Sequence, residues 1–196
     1  MLNKFKEFWK NYSYGTVRIF VDQIAIAIFG LALSLGTSAA SPHMGEETAK
    51  MLTVIASVFS ILFFLFMVGE LCFKAGAGDK ERVDNGRAKK NSLIGLWMGL
   101  LANVPNFILA FGYTVFSAIP ATEGSVSGFF GLAAKLVCGE YLGLLSIKVG
   151  DTMLSSIPFV YFLIIIPCVF AAWLGYYLGV NGKITLKPTK KDMEKF

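Results

Sequence analysis

Residues Ser57–Val68 read SVFSILFFLFMV, without a single charge. Extended to residues 51–73, the run reaches the roughly 20 residues that an apolar helix needs to cross a bilayer. A second stretch of this kind precedes it at residues 17–39, and two more follow at 92–118 and 157–180. The chain of 196 residues is 55% hydrophobic and 16% charged, with a mean hydropathy of +0.62. A soluble domain carries about 25% charged residues, so the apolar excess calls for lipid as solvent. Spans and short loops use up the length and leave no room for a separate soluble catalytic domain.

The segments between the runs are of two kinds. GTSAASPHMGEETAK, from Gly36 to Lys50, reads as a small-residue loop containing a proline, whereas KAGAGDKERVDNGRAKKN, from Lys74 to Asn91, is basic. Ser38-Ala39-Ala40 loosely resembles a signal-peptide cleavage site. The spans that follow at once favour a retained first span.

Before the first run, MLNKFKEFWKNYSY places Phe5, Phe8, Trp9 and Tyr12 three and four residues apart, with Lys4, Lys6 and Lys10 between them. That pattern predicts a basic amphipathic helix lying in the headgroup plane over residues 1–15. A single transmembrane domain over 16–181 and a basic cytoplasmic tail over 182–196 complete the division.

Residues 125–149, SVSGFFGLAAKLVCGEYLGLLSIKV, are long enough to cross but carry Lys135, Glu140 and Lys148. Each charge costs a few kcal/mol at mid-bilayer. Four spans put all 18 lysines and arginines except Lys50, Lys135 and Lys148 on one side; a fifth span moves the tail lysines across. The positive-inside rule selects the first arrangement. The expected fold is an all-α integral membrane helical bundle of four transmembrane helices. An N-terminal interfacial helix and a re-entrant or surface helix accompany them, with both termini cytoplasmic in the cell (inner) membrane.

Glycine spacing suggests how the helices meet. Gly95 and Gly99 open the third span, and Ala171, Gly175 and Gly179 line the last. Small residues four apart let helix backbones touch, so these two sets are expected to cross each other within one molecule, with a homodimer or a partner helix as the rival use. Gly99, Ala102, Asn106 and Ala110 share a face. Pro105 frees a carbonyl one turn earlier, and with Asn103 and Asn106 it makes mid-span a candidate site for an ion or polar solute. Structural bonding between spans is the rival use of these amides. Asp22, four residues after Arg18, and Glu70 are further path candidates, with terminal salt bridges as their alternative.

The chain offers no recognisable reacting constellation. His43, the only histidine, stands near Glu46 and Glu47, far short of a helical zinc motif. Ala75-Gly-Ala-Gly-Asp79 lacks the Gly-Lys-Ser/Thr of a phosphate-binding loop. Cys72, Cys138 and Cys168 have no paired spacing and read as buried hydrophobes. No cofactor and no metal is expected. The net charge of +5 lies in the connections rather than on a folded basic face, which argues against nucleic acid as a partner. The expected partners are the lipid bilayer and a membrane or cytoplasmic protein or second copy.

Gly78-Asp79, Val83 and Gly86-Arg87, leading into Gly95, Gly99-Leu-Leu-Ala102 and Pro105 and closing with Gly175-Tyr-Tyr-Leu-Gly179, carry a resemblance. Over about half the chain it resembles small, uncharacterised multi-spanning membrane proteins of Firmicutes-type bacteria, a group that implies no activity or site residues. Size alone also resembles the substrate-capture subunits of energy-coupling-factor vitamin transporters, which have six spans. The expected function is that of a transport-related or accessory membrane subunit acting with a partner, not an enzyme. Two alternatives stand beside it: an intramembrane lipid- or peptide-processing enzyme using Glu140, His43 and Glu47, and a structural or immunity-type membrane protein.

Overall fold

The computed structural model describes residues 2–119 and 125–182, and almost all of it is helical. Seven α-helices follow one another: α1 (Leu2–Met44), α2 (Glu46–Asp84), α3 (Ile94–Ala102), α4 (Val104–Ser117), α5 (Val126–Val137), α6 (Leu142–Leu145) and α7 (Val160–Val180). A 3-10 turn, Gly139–Tyr141, joins α5 to α6, and a small antiparallel pair, β1 (Lys148–Val149) and β2 (Thr152–Met153), precedes α7. Three helices, α1, α2 and α7, are long and apolar enough to cross a membrane. The count reaches five if the bent pairs α3–α4 and α5–α6 are each one span.

Several expected boundaries change. The N-terminal segment is not a separate surface helix but the first turns of α1, with Phe8 and Tyr12 packed on the bundle core. The expected loop at Gly36–Lys50 is helical except at Gly45, whose φ of 86° lies in the left-handed region and makes the entire turn into α2. Likewise α2 continues to Asp84, so most of the expected basic loop is helix. The expected third span is broken at Asn103, where α3 and α4 meet at 51°. Pro105 in the first turn of α4 explains the break, because it withholds one N–H and favours a helix start. The tail beyond Gly182 lies outside the described residues, as do 120–124.

Glycine contacts set the packing, and they differ from the expected pairing. Gly95 and Gly99 do rest on α7, against Ala172, Tyr176 and Val169. Gly175 and Gly179, however, face α2: Gly175 meets the backbone of Gly69, and Gly179 meets Phe73, Gly76 and Ala77. Helix α7 is thus held between α3 and α2 by two separate small-residue seams. The order of these contacts fixes direction. Along α2, Gly69 and then Gly76 meet Gly175 and then Val180, so α2 and α7 run parallel. Gly95, Gly99 and Asn103 meet Tyr176, Val169 and Cys168, so the α3–α4 pair runs antiparallel to α7.

The 84° bend between α5 and α6 brings the 3-10 turn onto the middle of α1. A Cβ on Gly30 would lie 2.6 Å from the Gly139 carbonyl oxygen and 2.7 Å from Glu140 Cα, and Gly139 in turn abuts Ala27. From there α6 runs back along α2, where the Gly143 N–H donates to Ser57 Oγ (2.7 Å). Two apolar clusters result. One gathers Ile19, Phe64, Val68, Met98 and Tyr176, and the other Ala134, Tyr141, Leu145 and Tyr161.

Candidate functional site

Polar side chains fill the seam between the two clusters. Asn106 Nδ2 donates to Gln23 Oε1 and to Asn103 Oδ1, both at 2.8 Å. Asn103 Nδ2 donates to the Gly99 carbonyl (2.9 Å) and to Cys168 Sγ (3.3 Å). The second of these bonds crosses to α7, and the first supports the end of α3 at the break. Side chains from α1, from the α3–α4 pair and from α7 therefore form one continuous network, fully buried: Asn103 is 1% exposed, Gln23 3% and Asn106 5%.

Glu140 enters from the 3-10 turn and is 0% exposed. Neither of its carboxyl oxygens has a hydrogen-bond partner, and Asn106 Oδ1 and the Tyr141 hydroxyl are likewise unpartnered. Gln23 lies beside the carboxyl without closing a well-formed hydrogen bond to it. Among the described residues Glu140 joins no ion pair. An isolated charge in such a place costs many kcal/mol.

The other candidates fall elsewhere. Asp22 adjoins Gln23 in sequence but is paired with Arg18 Nε at 2.9 Å. Glu70 is 42% exposed and pairs with Lys74 at 2.8 Å, so it takes no part in the polar seam. His43 and Glu47 are exposed at the α1–α2 turn. Glu140 sits at the level of Ala27 and Gly30, about 20 Å of helix rise away from His43. Glu140 therefore does not converge with His43 and Glu47, as an intramembrane enzyme built on the three would need. All three cysteines are buried and free, and no group of three metal-ligating side chains comes together among the described residues.

At the end of the bundle bearing the α1–α2 turn lies a cleft of about 400 Å³ between α1, α2 and α6, lined by Ser34, Ser38, Ser41, Thr53 and Ser146. The Glu46–Lys50 pair (2.6 Å) stands at its rim, and Lys50 holds the exposed Glu46 carboxyl below its usual range. A second cleft of about 460 Å³ is almost wholly apolar, formed by Leu100, Phe107, Ile166, Val169 and Trp173 on the flank of the α3–α4 break. Neither cleft is lined by Asn103 or Asn106.

A second polar knot ties the opposite end. Asp79, 7% exposed on α2, accepts from Tyr12 Oη (2.5 Å) and Tyr176 Oη (2.6 Å), with Arg82 at 3.4 Å. Burial and then the Asp79 carboxylate push the Tyr12 phenol well above its usual range. Tyr12 precedes the apolar stretch of α1, stays protonated and donates. The sequence context hides this knot, because Asp79 stands in the basic stretch between two apolar runs. Gln23 gains its role only where α1 lies against α4, and the seam position of Glu140 depends on the fold of 125–149. No protein-family model matches the chain, and no curated protein or solved structure matches it significantly.

Proposed function

We propose that the chain is a small transport-related protein of the cell membrane that crosses four times, and that its polar seam receives a small polar solute or ion. The topology is supported by helix direction. A segment 125–149 that crossed would deliver α7 from the opposite side, parallel to α3–α4 and antiparallel to α2. The observed directions are the reverse, as for a segment that dips in and returns. This arrangement gathers Arg18 and the basic residues between Lys74 and Lys90 at one end, the cytoplasmic one by the positive-inside rule.

The observation that carries the functional reading is the set of orphan acceptors, both Glu140 oxygens and Asn106 Oδ1, buried where two broken helices meet. Polar groups inside a bundle are expensive and mark solute and ion pathways. Discontinuous helices near the bilayer centre are how carriers present such groups. The bonded amides alone would serve as interhelical glue; unsatisfied acceptors beside them do not.

Proteoliposomes of the purified protein test this, with proton and monovalent-cation fluxes followed by entrapped dyes. Flux above that of empty vesicles, lost in Asn106→Leu, is the expected result. Wild-type vesicles indistinguishable from empty ones overturn the reading.

A further inference from the structure

We propose that Glu140 is a proton-binding site, and that its proton arrives through the hydroxyl-lined cleft between α1, α2 and α6, from the side that bears the α1–α2 turn. This deepens the transport reading, on which it rests, by naming the ion.

Geometry alone gives the first reason. A carboxyl group that is completely buried with both oxygens unpartnered needs either a counter-charge or a proton. No packed element sets a paired counter-charge against it. Helix α1 has no charged residue from Gln23 to Pro42, α2 none from Met51 to Gly69, and α4 and α7 none at all. Lys135 on α5 and Lys148 beyond α6 form no ion pair with it. The ionisable groups that feel a Glu140 charge are Cys138, Tyr141 and Cys168, each uncharged when protonated and none a cation. Neither cleft is lined by Glu140, and a hard metal cation asks for about six oxygen ligands where the orphan oxygens number four. A proton requires no cavity and only one oxygen.

The step is a simple transfer. An O–H bond forms on one Glu140 oxygen as hydronium on the outer side gives up its proton to leave water, and release is the reverse. The neutral acid also supplies a donor to a cluster whose orphan atoms include Asn106 Oδ1, an acceptor.

The route follows from α6. This helix starts two residues after Glu140, and its Leu142 and Ser146 form one wall of the cleft. Opposite stand Ser34, Ser38 and Ser41, three hydroxyls at helical spacing along one face of α1. A cleft of about 400 Å³ with this lining has the room and the polar partners that hydroxyl-bridged water needs. On the other side of Glu140 come Gln23 and the bonded amides, and after them the Arg18–Asp22 pair.

Infrared difference spectra of the full-length protein in vesicles, recorded between alkaline and acid pH, read the site directly. The expected result is one carboxylic-acid carbonyl band that grows as pH falls, shifts in deuterium oxide, is lost in Glu140→Gln and moves in frequency in Glu140→Asp. Filling the cleft with Ser34→Phe is expected to slow its deuterium exchange at least about tenfold. A wild-type spectrum with no titrating band, or a band that persists in Glu140→Gln, overturns the site. If Glu140→Gln fails to fold, the wild-type titration and the Glu140→Asp shift decide alone. Exchange unchanged by Ser34→Phe overturns the route. A titrating Glu140 band in vesicles that carry no flux upholds the proton site while refuting the transport reading. Flux without the band does the opposite.

Discussion

The contact between α1 and the turn that carries Glu140 gives the sharpest test of the fold, through Gly30→Ala. The new Cβ would stand 2.6 Å from the Gly139 carbonyl oxygen, 2.7 Å from Glu140 Cα and 2.9 Å from Glu140 N. All three are backbone atoms, so no rotamer change relieves the clash. Raising the closest approach from 2.6 Å to 3.4 Å, where ordinary contact begins, requires the turn to move off α1 as a unit. Overpacking of this kind costs about 1–3 kcal/mol. The natural control is Gly36→Ala on the same helix, where an added Cβ meets nothing within 4 Å. Both changes gain the same helix propensity, up to about 1 kcal/mol, and in the difference that gain cancels. Gly30→Ala is therefore expected to be less stable than Gly36→Ala by about 1–3 kcal/mol. Reversible unfolding of the detergent-solubilised protein in increasing dodecyl sulfate, followed by tryptophan fluorescence, measures the gap. Two variants equal within about 0.5 kcal/mol would refute the packing of Gly139–Tyr141 against Ala27–Gly30.

Asn106→Leu removes the donor to both Gln23 and Asn103 and is expected to lower stability by about 1 kcal/mol in the same unfolding assay, the size of interhelical bonds in lipid; an unchanged midpoint would mean the network is not formed. At the other end, a double-mutant cycle of Asp79→Asn with Tyr176→Phe should give a coupling of about 1.5–3 kcal/mol, as a buried hydrogen bond to a charged acceptor does. Additive effects there would show that Asp79 does not tie α7 to α2.

The broad architecture was legible because lipid demands long apolar helices, and runs such as Ser57–Val68 admit no other reading. Helix continuity was not. Gly45 alone turns α1 into α2, although the Ser, Pro and Gly content around it looks like a loop. Pro42 is accommodated inside the last turns of α1. The paired glycines were visible, but spacing says only that a backbone approaches, never whose. Gly69 and Gly76 on α2, which receive Gly175 and Gly179, are seven apart and form no four-residue motif. Asn103 and Asn106 stood out as amides beside a proline. Gln23 did not, because its role exists only once α1 lies against α4. By composition Glu140 is a charge too costly to bury, yet in the fold it is buried completely.

That cost separates function from architecture in this molecule. The bundle is already held by glycine seams along α2, α3 and α7 and, at one end, by the Asp79 knot, neither of which involves Glu140. An apolar side chain of similar volume at position 140 would fill the same space without an unsatisfied carboxyl, and exchanges of this sort are commonly neutral or stabilising. The turn is also held from outside Glu140: Gly139 abuts α1, and Gly143 is bonded to Ser57. An acid that packing does not require, set where no ion pair offsets its charge and beside an amide with a free acceptor, fits a group that works by changing its protonation state.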